Sequence, residues 1–242
     1  MAEHPTGTAE EWQAAREELL AEEKELTRRG DELAKKRQAL PWVPVEKDYS
    51  FETEDGTKSL ADLFAGRSQL MIYHFMFGPG WTGGCPVCSS IADTFAPQRP
   101  HMNARDTTLM LSSRAPVEQL LSYRARMGWD LPWASAETEF HRDLGFFYTE
   151  EELEPFLSGE IPPTVTQNAA MCGTDAAGYV AEGPGLSVWA LEDGSVYRTY
   201  QSTARGLEVS MAYYGLLDRT PAGRNEPPDQ PLWLRRHDEY GS

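Results

Sequence analysis

QLMIYHFMFGPGWTGGCPVC, residues 69–88, is the stretch from which the rest of the chain is read. Its first half, Gln69 to Met76, is a short apolar run of strand length. Phe77 to Gly84 is rich in Gly and Pro and breaks that run. Behind it Val87, Ile91 and Phe95 recur every four residues with Ala92 beside them, which is helical spacing. The order is strand, turn, Cys85-Pro86-Val87-Cys88, helix.

That order places Cys85 at a helix N-terminus, where unpaired backbone N–H groups and the helix dipole favour a thiolate. The thiolate is the attacking species in disulfide exchange. Cys88 lies one turn further on, within reach to close a small ring and release a mixed disulfide. Pro86 suits the first helical turn, which tolerates a residue without an N–H. Gly83 and Gly84 are expected to let the backbone turn sharply and leave the sulfur uncovered. Cys85 is therefore read as nucleophile and Cys88 as resolving thiol. A structural zinc needs four ligands. Only one further cysteine, Cys172, is present, and no His-x3–5-His pair exists, with His74 the one conceivable addition. Neither a metal nor an organic cofactor is expected. Two inert, buried thiols are the plain alternative.

The 242 residues suit one core with appendages. A net charge of −16 argues against nucleic acid and acidic membranes as partners. No apolar run is long enough for a membrane span, and the N-terminus lacks the basic start and apolar stretch of a signal peptide. Three cysteines are too few for a disulfide-stapled secreted scaffold. A cytoplasmic location follows as the expectation.

Residues 8–40 read as one long helix, capped by Thr8 and Glu11. Its thin apolar stripe (Trp12, Leu19, Leu26, Leu33, Leu40) suggests an arm, lying on its own domain or holding a second copy in a homodimer. Tyr49–Thr53 alternates as a strand before a Glu54-Asp55-Gly56 turn. Ser59–Phe64 is a turn or two of helix. His101–Arg105 connects to a buried strand at 107–112. A helix at 116–127 stops at Gly128, a short extended piece follows at 131–134, and a short helix at 140–144. Thr149–Pro184, acidic at first and then rich in Pro, Gly, Ala and Thr, reads as a long, partly irregular insertion on the surface. A hairpin at 186–200 turning on Asp193-Gly194, and a closing helix at 204–217, complete the core. The boundaries are an arm over 1–40, a domain over 41–220 with its insertion at about 149–184, and a tail over 221–242. Strands alternating with helices make the class α/β, with a mixed sheet flanked by helices.

The block around Cys85 resembles the thioredoxin superfamily, nearest its peroxiredoxin-like and membrane-tethered branches. More closely, the chain is similar to a bacterial family of predicted dithiol-disulfide oxidoreductases with thioredoxin-like fold. The segments that carry this are LPWVPVEKDYSFETEDG, SLADLFAGRSQLMIYHFMFGPGWTGGCPVCS, HMNARDTTLMLSSRAP, RMGWDLPWAS, GLSVWALEDG and TYQSTARGLE, spread over about Leu40 to Thr220. The resemblance implies exchange of the Cys85–Cys88 pair with a protein or small-molecule disulfide. It also implies a cis-proline facing the pair, for which Pro184 is the candidate. Trp81, Thr82, Gly84 and Pro86 line the site with Pro184. Thr82 stands three residues before Cys85, as in the Pro-x-x-x-Thr-x-x-Cys pattern of peroxiredoxins, while Pro79 is one residue too close. A thiol peroxidase using Cys85, with Arg114, Arg142 or Arg198 beside it, is the alternative, and a non-enzymatic binding protein of the same fold is a third.

Of the remaining candidates, His74 is read as a core histidine or a proton acceptor near Cys85, and Trp129 and Trp133 as packing. Asp93 is read as a solvated or capping carboxylate. Cys172 is an isolated thiol or a second resolving one.

Overall fold

The computed structural model describes residues 4–226 and 233–241. The first three residues and positions 227–232 of the expected tail lie outside the described residues. The chain divides into two compact units, Met1–Pro41 and Trp42–Ser242. The first holds α1 (Ala9–Gln38), whose Thr8 and Glu11 form a reciprocal capping box. Glu25 pairs with both Arg28 and Arg29 along it.

The second unit is built on an eight-stranded mixed sheet. Its strands are β1 (Val43–Pro44), β2 (Ser50–Thr53), β3 (Gly56–Ser59), β4 (Gln69–His74), β5 (Thr107–Ser113), β6 (Trp133–Ala136), β7 (Gly185–Glu192) and β8 (Ser195–Thr203), in spatial order β1-β8-β7-β4-β5-β6-β2-β3. β4 pairs parallel with β5 and antiparallel with β7, and β7 turns back into β8. The central order β5-β4-β7-β8, with helices between β4 and β5 and a terminal hairpin, is thioredoxin-like. The hairpin turns on Asp193 and Gly194, both at positive φ (51° and 80°), the pattern of a type I′ turn. β3, not anticipated, pairs with β2 because Gly56 at φ 97° closes a tight turn.

Alternation along β4 separates two cores. Leu70, Ile72 and His74 face one way, among Phe51, Phe64, Phe140 and Phe146. Tyr73 and Phe75 face the other, where α2 (Pro86–Phe95) packs. Phe75, Phe77, Tyr123 and Trp133 meet edge to face on this side, with Trp129 joining them; Phe75 and Trp133 have centroids 4.8 Å apart. Each such pair adds about 0.5–1.5 kcal/mol beyond burial, so the floor beneath α2 is stiff. α3 (Arg99–Asn103), α4 (Val117–Arg126) and α5 (Thr138–Asp143) complete the crossovers.

Two expectations are corrected. Residues 149–184 are largely helical, forming α6 (Glu150–Leu157), α7 (Pro163–Cys172) and α8 (Ala176–Ala181). Thr149 with Glu152 caps the first reciprocally and Asp175 caps the third. Ala169, Cys172 and Tyr179 from this segment are buried in the core on the α2 side, so it is a wall rather than a surface loop. The closing helix is also broken. Ala204–Ser210 is a 3-10 helix, Met211 leaves helical geometry at φ −101°, ψ 67°, and only Ala212–Leu217 (α9) is α-helical.

Candidate active site

Loop 77–84 leaves β4 and returns to it. Pro79 and Gly80 (φ 78°) make a turn closed by the Trp81 N–H on the Gly78 carbonyl, which fits type II geometry. The Cys85 N–H then donates to the Met76 carbonyl at 3.1 Å, pinning the N-cap of α2 to the strand end. Cys85 is the N-cap, Pro86 is the first helical residue, and Cys88 lies in the first turn.

The glycines are needed for space, not for turning, and the sulfur is not uncovered. Neither Gly83 nor Gly84 has positive φ. A Cβ on Gly84 would clash with Phe75 Cε1 and stand 2.7 Å from its Cζ, and one on Gly83 would stand 2.9 Å from an Arg236 nitrogen. Cys85 and Cys88 are each only 1% exposed, both as free thiols.

The Tyr179 hydroxyl of α8 lies 3.3 Å from Cys85 Sγ. Burial pushes the Cys85 thiol up. Donation from the Cys88 thiol, from Tyr179 and from the N–H groups of Cys88 and Val87 outweighs it and brings Cys85 down to about 7. Cys88 moves the other way: burial and the Cys85 thiolate hold it well above the ordinary thiol range. The two thiols are thus driven apart, Cys85 toward the thiolate and Cys88 toward the protonated form that donates to it. Tyr73, under α2, is held well above the usual phenol range by burial and by Cys88. Its buried hydroxyl lacks a well-aligned hydrogen-bond partner.

Trp81 stacks on Tyr179 (5.8 Å, 18°), so it backs the tyrosine. Its carbonyl accepts from Gln119. The Thr82 N–H and hydroxyl both donate to the Cys172 carbonyl, at 2.8 and 3.3 Å, so that hydroxyl is already engaged. Pro184 immediately precedes β7, whose Gly185 pairs with His74. It is not a cis-proline: no cis peptide bond occurs among the described residues. The segment before it is held extended by the Phe147–Glu182 bridge and the Gly183 N–H on the Phe146 carbonyl, and Tyr179 is the group set against Cys85.

His74 is not near the thiols. It faces the opposite core, bonded through Nε2 to Ser187 Oγ at 2.8 Å, and burial with neighbouring His141 keeps it neutral. The three arginines considered for a peroxidase are engaged elsewhere. Arg114 pairs with buried Glu182 at 2.7 Å, Arg142 faces Glu152 at the surface, and Arg198 is paired in β8 opposite Val43 and Trp189.

The arginine that does reach the site is Arg236, from the tail, and sequence reasoning missed it. It is 5% exposed. Its Nε and Nη2 donate to the Gly84 carbonyl at 3.1 and 2.8 Å, Nη2 to the Met171 carbonyl at 2.7 Å, and Nη1 to Glu239 at 2.7 Å. Around it Leu234 is buried, Arg126 holds Asp238 and Glu239, and Asp93 binds both His237 Nδ1 and Trp129 Nε1. Asp93 therefore anchors the tail and is not merely solvated. Tyr179 was missed too; its one signal was an Asp175-x-x-Gly178 cap before a short aromatic-bearing helix.

Among the described residues no cluster of three His, Cys, Asp or Glu side chains has metal-site geometry. No helix among them is long and apolar enough to cross a membrane.

Residues 1–240 match the model of the family described as bacterial protein of unknown function (DUF899). The chain belongs to this family. A search of the curated proteins finds no match. Among solved structures, the DUF899 chain is similar to a cysteine mutant of peroxiredoxin Q from Xanthomonas campestris: 14% identity, 75% of this chain, 98% of that one, TM-score 0.41. It is also similar to peroxidoxin BcpB from Mycobacterium tuberculosis: 13% identity, 72% and 94% covered, TM-score 0.42. A yeast mitochondrial 1-Cys peroxiredoxin matches at 18% identity, 78% and 84% covered, TM-score 0.38. For this DUF899 member the strand order itself carries the fold assignment.

Proposed function

We propose that the chain is a thiol–disulfide oxidoreductase in which Cys85 attacks and Cys88 resolves, without metal or organic cofactor. The observation that carries this reading is the placement of the pair: Cys85 caps α2 with Cys88 in its first turn and the Tyr179 hydroxyl 3.3 Å from Cys85 Sγ, surroundings that lower Cys85 to about 7 and raise Cys88. In the first step the Cys85 thiolate attacks a disulfide R–S–S–R′, the S–S bond breaks, and R′S⁻ leaves. Cys88 Sγ then attacks Cys85 Sγ, its proton goes to the departing RS⁻, and the Cys85–Cys88 disulfide forms. The substrate gains two electrons and the pair loses two. A thiol reductant, protein or small molecule, restores the dithiol. Since Cys85 is covered, attack on a bulky disulfide requires Tyr179 and the Trp81 ring behind it to move aside.

The test is incubation of the reduced protein with glutathione disulfide and with hydrogen peroxide in parallel, with mass mapping of Cys85. Formation of a Cys85–Cys88 disulfide from glutathione disulfide, lost in Cys85→Ser, is the expected result. Faster reaction with peroxide, through a sulfenic acid at Cys85, would replace this reading with a peroxidase. Thiols that titrate normally and react with neither reagent would leave a binding protein.

A further inference from the structure

Cys172 has no part in that scheme, yet it is built into the same site. It ends α7, and the carbonyl of Cys172 accepts both the N–H and the hydroxyl of Thr82, three residues before Cys85. One guanidinium, that of Arg236, holds the carbonyls of Gly84 and Met171, the residues immediately preceding Cys85 and Cys172. Both thiols are buried in one apolar cluster with Cys88, and α7 packs against α2. The buried Tyr73 hydroxyl, without a well-aligned hydrogen-bond partner, interacts with Cys88 and Cys85.

We propose that Cys172 is a second resolving thiol for Cys85, so that the site works with three cysteines and two alternative disulfides. This rests on the reading of Cys85 as the attacking thiol. With Cys85 carrying a mixed disulfide, Cys172 Sγ attacks Cys85 Sγ. The bond from Cys85 to R breaks, the bond between the two cysteines forms, and the Cys172 proton leaves as R–S–H. Exchange alone is involved, so no further oxidant is needed. The electrostatics order the steps. Burial and the Cys85 thiolate both hold Cys172 protonated in the resting site. Once Cys85 is capped its charge is gone; burial still holds Cys172 protonated, but the Arg236 guanidinium then opposes it without the Cys85 charge added against it.

The experiment uses an aromatic disulfide that releases a coloured thiolate. The Cys88→Ser variant is expected to release a first equivalent as Cys85 is capped, and a second as Cys172 displaces the adduct. The Cys88→Ser/Cys172→Ser variant is expected to stop after the first and keep the added mass on Cys85. An adduct equally persistent in both variants overturns the proposal while leaving Cys85 as nucleophile. Failure of Cys85 to take up the reagent at all overturns the underlying function as well. The wild-type chain supplies a reading independent of folding in the variants: limited reagent, acid quench and digestion should yield a peptide joining the Cys85 segment to Cys172. A time course showing only the Cys85–Cys88 link overturns the proposal.

Discussion

Replacing Tyr179 by Phe removes one hydroxyl and keeps the ring stacked on Trp81. That hydroxyl lies 3.3 Å from Cys85 Sγ and is one of the two side-chain donors holding the thiol at about 7. A hydrogen bond to a charged group contributes about 1.5–3 kcal/mol, and one pKa unit corresponds to about 1.4 kcal/mol. Loss of the donor should therefore raise Cys85 by roughly 1–2 units. At pH 7 the thiolate fraction falls from about a half to between roughly a tenth and a hundredth. The more basic thiolate is intrinsically about three- to eightfold more nucleophilic, given a Brønsted slope of about 0.4–0.5. The two effects oppose each other, so the variant should attack a small disulfide roughly two- to sixfold more slowly at pH 7 and faster than wild type at high pH. The initial rate of coloured-thiolate release, followed from pH 5 to 10, reads both limbs. Curves that cross support the argument. Curves of unchanged midpoint refute it, and a uniform drop at every pH would mean that Tyr179 acts by packing alone.

Gly84→Ala sets a Cβ against Phe75 Cε1 and 2.7 Å from its Cζ, and overpacking of this kind should cost about 1–3 kcal/mol in urea unfolding and disturb Cys85 reactivity together. Gly173→Ala forces a side chain into φ 71° and brings its Cβ to 2.8 Å from Thr82 Cγ2; a loss of roughly 2–4 kcal/mol is expected, with α7 shifted off the thiol loop. Arg236→Gln strips donors from two carbonyls beside the cysteines and should cost about 2–4 kcal/mol by the same assay, since each buried acceptor left unpaired costs about 1–3 kcal/mol. For Glu182, burial raises the carboxyl from 4.5 to about 7 despite the Arg114 pair. The unfolded chain loses this proton first, so stability falls as pH rises from 4.5 to 7, by roughly 3 kcal/mol in total. Glu182→Gln should lack that slope when unfolding free energies are compared across the window.

The strand-turn-helix reading of residues 69–95 was legible because periodicity and Gly/Pro breaks act locally. The hairpin at Asp193-Gly194 was legible for the same reason. What stayed hidden depends on contacts far along the chain. Residues 149–184 look partly irregular because α6, α7 and α8 are short and individually weak in pattern; their stability comes from packing Ala169, Cys172 and Tyr179 against α2. Gly83 and Gly84 read locally as turn residues, whereas their reason is the closeness of Arg236 and Phe75, which no local pattern shows. His74 was ambiguous until the alternation of β4 settled which core it faces. A cis-proline at Pro184 follows from the resemblance alone, and the segment there is trans and held extended.

The separations in this site carry a kinetic consequence. Tyr179 lies 94 positions from Cys85, and Arg236 lies 152 positions from Gly84. Contacts of such long range form late, after much loop-closure entropy has been overcome. Until the Tyr179 contact forms, Cys85 in a partly folded chain lacks that donor and titrates higher than in the native site. Its reactivity at neutral pH is thus acquired near the end of folding, which shelters immature chains from premature crosslinking. Thiol reactivity followed during refolding would report completion of the native fold itself.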